Sequence, residues 1–341
     1  MRLAPLFPFF FCIVSIFPAN GYGLSSWGCF GAGAAEFFVP GLGYAITLQV
    51  DKALILGGGR WYTGRKYSDA ADSDDYESDP DKIYHTTDRD DSESGKEEVS
   101  IYLNESTWEA NYYGNLYSNL LLTTWGDLYQ NGCQPNRETY SLMASPFRFS
   151  HFYDNWMFWL PMAIALANYR FISDETKIDY YLEKGLSERD LKNDSFSQYY
   201  MVGVGEEMFF RGTIQHYLFE SMKGYWGMSA ASSRHGSIFA ASLLFAAAHS
   251  GKGFTANSAQ AFLFGLYEGY VYHPSLEEFD LTTAIAVHAW WDLLVAYAIL
   301  NNAEFHEDRE NVYDGDSSKS KTGNGVARST VFPLMRIAFR F

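Results

Sequence analysis

Three short runs in the second half of the chain set ionisable side chains in apolar surroundings. Glu206, Glu207 and Arg211 lie in GEEMFFRG, Phe245 and His249 in LLFAAAHS, and His288 and Asp292 in AVHAWWDLL. If each run is helical, 207 and 211 share a face, as do 245 and 249, and 288 and 292, because positions i and i+4 are neighbours on an α-helix. Ionisable groups inside apolar helices are costly, which makes them functional candidates by default. One acid and two imidazoles aimed into one pocket have the chemistry of water activation. A carboxylate in a dry setting becomes a competent base, and donors fixed where an oxyanion develops need no reorganisation during reaction.

Each run also has a plainer reading. A Glu–Arg pair at i, i+4 is usually a structural salt bridge, and a lone His249 amid FAAAH is more often a hydrogen-bonded core histidine. Phe245 reads as a packing residue beside His249. Gly265 and Gly269 have the small-xxx-small spacing that lets helices approach closely, and Glu268 between them is a further pocket candidate. His216, His235 and His273 fall at helix flanks and read as interfacial.

Helices of membrane length must carry these groups. NWMFWLPMAIALANY, residues 155–169, has no charged side chain, an apolar centre and aromatic ends, with Pro161 expected to kink it. A polar connection is expected over 170–194. Four helical segments then follow, at about 196–223, 235–251, 254–273 and 281–303, several near the roughly 20 residues that cross hydrocarbon. Upstream, residues 37–59 read as two short membrane-associated helical pieces or a hairpin, and about 107–129 as an amphipathic helix. No internal repeat is evident.

The chain has 341 residues, and its net charge of −16 is concentrated: residues 69–98 hold thirteen acids against Lys82, Arg89 and Lys96. That segment reads as a disordered acidic loop. Aromatics make up 18% of the chain, which calls for a core or a lipid interface, and the acidic balance disfavours a nucleic-acid partner. Arg2, the apolar stretch 3–17 and Ala19-Asn20-Gly21 read as a signal peptide over 1–21, with an uncleaved signal anchor as the alternative. Cys12 would leave with the signal, and Cys29 and Cys133 would remain as a pair able to bridge on the export side. Asn104 and Asn193 head N-x-S/T sites that matter only in a glycosylating host. The tail ends in VFPLMRIAFRF, whose period-two alternation resembles the last strand of an outer-membrane barrel, yet the long apolar runs of the central chain oppose a barrel.

EEMFFR fits EExxxR, FAAAH fits FxxxH and HAWWD fits HxxxN/D, in that order. Together they resemble the CPBP family of intramembrane proteases, the CAAX-processing and bacteriocin-processing or Abi-type proteins, over roughly residues 151–303. The resemblance implies a polytopic helix bundle that hydrolyses peptide bonds with a glutamate-activated water. Carried over by position, Glu206 would be the general base and His249 its partner on the water, while His288 and residue 292 would stabilise the oxyanion. Arg211 would neutralise Glu207, because two adjacent carboxylates in low dielectric cannot cheaply both ionise. Asp292 could donate to an oxyanion only when protonated; otherwise it would orient and charge His288.

The expected fold is therefore all-α, a transmembrane bundle of about five to seven helices. An N-terminal membrane-associated region would span 22–150 with the acidic loop 69–99, the protease-like core 151–303 and a polar tail 304–341. The expected activity is intramembrane peptide hydrolysis, with a peptide or protein substrate and the lipid bilayer as partners and a bacterial inner membrane as location. A prenylated CAAX tail is one family substrate, and nothing in the sequence selects it. No metal is expected, since the HExxH signature of zinc proteases is absent; Glu206, His249 and His288 as zinc ligands are the alternative. A catalytically silent membrane peptide-binding or immunity protein is the competing function.

Overall fold

Apolar patterning and close glycine contacts place the long helices. The structure, a computed structural model, describes residues 26–87, 89–249 and 256–309. The signal or anchor segment expected at 1–21 and the alternating tail lie outside these residues. The N-terminal helices are α1 (Ser26–Phe38), α2 (Leu42–Ile46) and α3 (Gly58–Ala71), the last continuing a π-helical turn at Ala53–Gly57. The expected helical pieces at 37–59 are thus present. They meet at Leu48, which has φ of 61° and is 82% exposed at the bend.

Next come α4 (Glu105–Gln130), α5 (Trp156–Glu175 with Pro161 inside it), α6 (Glu188–Phe209), a π-helical turn at Phe210–Gln215, and α7 (His216–Gly224). They are followed by α8 (Ala230–Ala248), α9 (Ala256–Tyr272) and α10 (Leu281–Asn302). The starts of α4 and α6 follow from capping. The Asn104 side chain accepts from Thr107 N at 2.7 Å, and Ser187 and Asp190 form a reciprocal capping box. Asn104 is buried and its amide also donates to the Asp75 carbonyl, so the side-chain nitrogen of that N-x-S site is engaged in the fold.

The helical class holds, but the all-α expectation is corrected by a four-stranded sheet. Strands β1 (Tyr84–Thr87), β2 (Glu97–Leu103), β3 (Thr176–Glu183) and β4 (Ala303–Arg309) lie in that order. β1 and β2 are antiparallel; β2–β3 and β3–β4 are parallel, with Ile101 opposite Tyr180 and Tyr180 opposite Phe305. The acidic loop expected at 69–99 is therefore ordered in large part, contributing the end of α3, β1 and the start of β2. The polar connection expected at 170–194 contributes the end of α5, β3 and the start of α6. The reason is period-two burial: Val99, Ile101 and Leu103 on β2 and Ile178, Tyr180 and Leu182 on β3 turn inward onto Trp108, Ile299 and Leu300. Between them Ser100, Tyr102 and Tyr181 are half-buried, while Asp179 is buried and pairs with Lys177 and His306.

The sheet joins directly onto the bundle. β2 ends one residue before α4, β3 follows α5 without a break, and β4 follows α10 in the same way. Parallel pairing thus fixes one end of these helices. Above it, α4, α6 and α10 pack with almost no side chain between them. A Cβ at Gly203 would stand 2.5 Å from Ala289 N on α10, and one at Gly205 would stand 2.4 Å from the Asn119 carbonyl on α4.

The N-terminal helices are held to α4 by buried polar contacts. Asp127 accepts from Lys52 Nζ at 2.7 Å, Tyr44 Oη at 2.9 Å and Asn136 Nδ2 at 3.1 Å. Arg60 pairs with Glu36 at 3.2 Å, both fully buried. Cys29 and Cys133 are bridged across 104 residues, with Cα atoms 5.5 Å apart. The pairing left open by the sequence is made.

Among the described residues, Leu281–Asn302 is the one helix long and apolar enough to cross a membrane by length and composition, and Trp156–Ala167 is a shorter apolar stretch. The first half of α6 carries ERDLKND, and α9 has 17 residues. The expected count of five to seven spans is thus not shown by these helices. The barrel alternative does not describe these residues, which form helices and a mixed sheet.

Candidate active site

The site lies where α6, α8 and α10 converge, far from the sheet. At a rise of about 1.5 Å per residue, Glu206 is roughly 27 Å along α6 from its start, and His288 is roughly 21 Å from the end of α10 that leads into β4. The close glycine contacts at 203 and 205 sink the following Glu206 and Glu207 into the interior, where both are buried. The helix then widens into the π-helical turn that carries Arg211, a local form often found at functional sites.

All the motif residues come together. Glu206 Oε2 is 3.6 Å from His249 Nε2 and 3.9 Å from His288 Nε2. It has no hydrogen-bond partner among the described residues. Each imidazole is fixed through its other nitrogen. His249 Nδ1 lies 2.7 Å from the Phe245 carbonyl, and because a carbonyl only accepts, Nδ1 carries the proton. His288 Nδ1 lies 2.8 Å from Glu207 Oε1, which accepts from it in the same sense. Both Nε2 atoms therefore turn toward Glu206. Asp292 Oδ2 is 3.5 Å from His288 Nε2, one helical turn along α10.

Glu207 has a part that the spacing did not disclose. Its Oε2 accepts from Arg211 Nε at 3.1 Å, as expected, while its Oε1 holds His288 on another helix. A pair read as local is thus the middle of a chain, Arg211–Glu207–His288. Phe245 likewise does two things: its ring packs on His249 with centroids 4.2 Å apart, and its carbonyl fixes the tautomer. The contact across 81 residues between Glu207 and His288 leaves no mark in spacing, so sequence alone offered no signal for it.

The remaining candidates separate. A Cβ at Gly265 would meet Ser242 at 3.2 Å and one at Gly269 would meet Ile238 at 2.7 Å, so both glycines serve helix packing between α8 and α9. Glu268 is fully buried. His235 is exposed and bonds Tyr270 at 2.9 Å. His216 is half-buried, 3.2 Å from Tyr272 Oη. His273 corrects the interfacial expectation: it is fully buried between Phe219 and Phe279, with centroids 4.7 and 4.3 Å away.

The zinc alternative can be weighed on distances. A tetrahedron with bonds of about 2.0–2.1 Å has an edge of about 3.3 Å, shorter than the 3.6 and 3.9 Å from Glu206 to the two imidazoles. A carboxyl–imidazole cluster with donor atoms within 4.8 Å of one another occurs instead on the sheet, at Asp179, Glu304 and His306. There Lys177 Nζ already pairs with both carboxylates, at 3.3 and 3.7 Å.

No curated protein and no solved structure matches the chain. Residues 195–294 match the family model described as type II CAAX prenyl endopeptidase Rce1-like. Every residue of the three motifs falls inside that span. The chain therefore carries an Rce1-like domain over residues 195–294, in agreement with the CPBP resemblance of its motifs.

Proposed function

We propose that the protein is an intramembrane endopeptidase of the CAAX-protease type, cutting a peptide or protein segment at or near the bilayer. Glu206 and His249 activate a water, and His288 with Asp292 stabilises the oxyanion. One observation supports this reading above the rest: Glu206 Oε2 stands within 4 Å of two imidazole nitrogens whose partner nitrogens are already engaged.

Mechanism follows from those orientations. Glu206 takes a proton from water as its oxygen bonds to the scissile carbonyl carbon, and the carbonyl electron pair moves to oxygen. His249, with Nδ1 held by the Phe245 carbonyl, presents the Nε2 lone pair to the same water. His288 donates from Nε2 to the oxyanion when both ring nitrogens are protonated, and Glu207 and Asp292 lie on its two sides to balance that charge. The C–N bond then breaks as the proton held by Glu206 passes to the leaving amine, giving a carboxylic acid and an amine. Glu207, on Nδ1, is the acceptor that orients His288 in the manner of a catalytic dyad, and Asp292, 3.5 Å from Nε2, adds negative charge beside the imidazolium. No metal enters these steps. The domain match and the apolar helix Leu281–Asn302 support a membrane-embedded protein.

Purified protein incubated with a peptide library, with products read by mass spectrometry, tests the reading. Discrete cleavage products that disappear in Glu206→Gln and His249→Ala are expected. Products unchanged in those variants, or a wild type that binds peptide without cutting it, would favour the silent binding protein instead.

A further inference from the structure

Two bends join α1, α2 and α3, and they differ in what they show to the outside. The first, over residues 38–41, exposes Phe38 at 70% together with Val39 and Leu42, while its polar groups are answered from within. Each main-chain N–H from Val39 to Gly43 is spent inside the segment, Pro40 having none. Val39 donates to the Ala35 carbonyl and Leu42 to the Val39 carbonyl, while Gly41 and Gly43 donate to the two oxygens of the Glu36 carboxylate at 3.0 and 3.1 Å. Arg60, reaching across from α3, donates to the Glu36 and Phe37 carbonyls that the end of α1 leaves open. Glu36 and Arg60 are themselves fully buried. A Cβ at Gly57 would stand 2.4 Å from Gly41 Cα, so the bend is pressed onto the π-helical turn before α3. At the second bend, by contrast, Asp51 is exposed and accepts from Tyr140 Oη at 3.4 Å.

Contacts with α4 set the two bends at different levels. Cys29 is bridged to Cys133 just past the end of α4, where Gln134, Arg137 and Glu138 are exposed. From there α1 runs back along α4: Trp125 Nε1 donates to the Gly33 carbonyl at 2.9 Å, and Arg60, paired with Glu36, reaches Tyr117 Oη at 3.2 Å. The chain then climbs again, since Tyr44 Oη and Lys52 Nζ both end on Asp127. At about 1.5 Å per residue, Trp125 and Tyr117 lie roughly 8 and 20 Å from the end of α4 at Gln130. Those levels bracket the mid-plane of a hydrocarbon core about 30 Å thick.

Resting on the membrane-embedded part of the reading above, we propose that residues 26–48 form a re-entrant loop. The chain enters the bilayer beside the Cys29–Cys133 bridge, turns at residues 38–41 among lipid acyl chains near the mid-plane, and returns to the same face at Leu48. Irregular backbone is tolerated at that depth only where protein meets its polar groups, and Glu36 and Arg60 meet them here. A water-facing bend would need neither buried charge, because solvent serves open amides and carbonyls.

Depth-dependent quenching on the full chain in phosphatidylcholine vesicles tests this. Single maleimide dyes are placed through Phe38→Cys, Leu48→Cys and, as a reference on the apolar stretch of α5, Leu166→Cys, each in a Cys12→Ser background. Cys29 and Cys133, being bridged, take no dye. The quenchers are lipids with a nitroxide near the acyl terminus, lipids with a nitroxide on the head group, and aqueous iodide. Position 38 is expected to lose most fluorescence to the acyl-chain nitroxide, as position 166 does, and none to iodide, while position 48 loses most to the head-group nitroxide. Arg60→Met, which opens two carbonyls and strips Glu36 of its partner, is expected to shift position 38 toward head-group and iodide quenching; Glu36→Gln takes its place if it does not fold. Position 38 open to iodide, or reached by no quencher, while position 166 is quenched from the acyl chains would overturn the loop and leave the membrane reading standing. Iodide access at both positions would overturn the membrane reading and the loop with it. A depth at position 38 that the Arg60 or Glu36 change leaves untouched would overturn the sealing of the turn by that pair. Should Phe38→Cys not fold, Val39→Cys, also exposed, replaces it in the same comparison.

Discussion

At the scale of single residues, the account turns on which nitrogen of each imidazole is already taken. His249 gives Nδ1 to a backbone carbonyl and His288 gives Nδ1 to Glu207, leaving both Nε2 atoms on the side of Glu206. Replacing the base by its amide should remove the proton acceptor and leave the packing intact, lowering kcat by about 10²–10⁴-fold, the range of general acid–base catalysis. Glu207→Gln should be milder, about 10–100-fold in kcat, because a neutral amide can still accept from His288 but no longer balances Arg211. Steady-state kinetics on matched preparations checks both. The motif residues were legible from i, i+4 spacing and apolar context. The bond from Glu207 to His288 was not, because it spans two helices whose relative rotation no local pattern records. If activity depended on zinc, a chelator would abolish it and added zinc would restore it. The metal-free account expects neither effect.

At the scale of elements, close backbone approach is what buries the acids. α6 lies against α10 at Gly203 and against α4 at Gly205. Gly203→Val should force the helices apart and cost at least about 1–3 kcal/mol, the penalty of overpacking, seen as a lower thermal midpoint with activity falling alongside. The Cys29–Cys133 bridge ties α1 to the residues just after α4. Reducing it, or replacing Cys133 by Ser, should cost up to about 5 kcal/mol by chain-entropy reasoning for a loop of 104 residues, which thermal unfolding with and without reductant would show. Helix boundaries were legible to within two residues for α4 and α10, since apolar runs and caps mark them, while α8 starts five residues earlier than expected, at its Ser229 cap. The strands were not. EEVSIYL and TKIDYYLE do alternate, but each sits in an acidic or polar stretch whose composition suggests a solvated segment, and their pairing partners lie tens of residues away.

At the scale of the whole molecule, the sheet closes one end of the bundle and the site lies midway along its helices. Parallel strands continuing from α5 and α10 hold one end of the helices together, and the catalytic candidates gather beyond it, with Glu206 at the middle of the run Glu188–Gly224 and Asp292 near the middle of α10. Apolar side chains remain exposed around the bundle, among them Leu48, Leu54, Trp61, Trp156 and Leu166, more than a water-facing surface commonly carries as large groups. They are the side chains that the proposed membrane location would cover. Alkaline carbonate washing should therefore leave the protein in the membrane fraction, and its release into the supernatant would contradict an embedded chain. Membrane character was legible from the charge-free stretches near 155–169 and 281–291. The number of spans was not, because polar and charged residues lower the mean hydropathy of helices that are long enough to cross, such as α4 and α6.

The central claim is that one carboxylate, set between two oriented imidazoles, drives the hydrolysis. The most direct measurement compares peptide cleavage by wild type and Glu206→Gln at equal concentration, after circular dichroism and thermal unfolding have shown the two to be equally folded. The account predicts turnover by the wild type and a loss of at least about a hundredfold in the variant. Equal turnover by two equally folded proteins would contradict it.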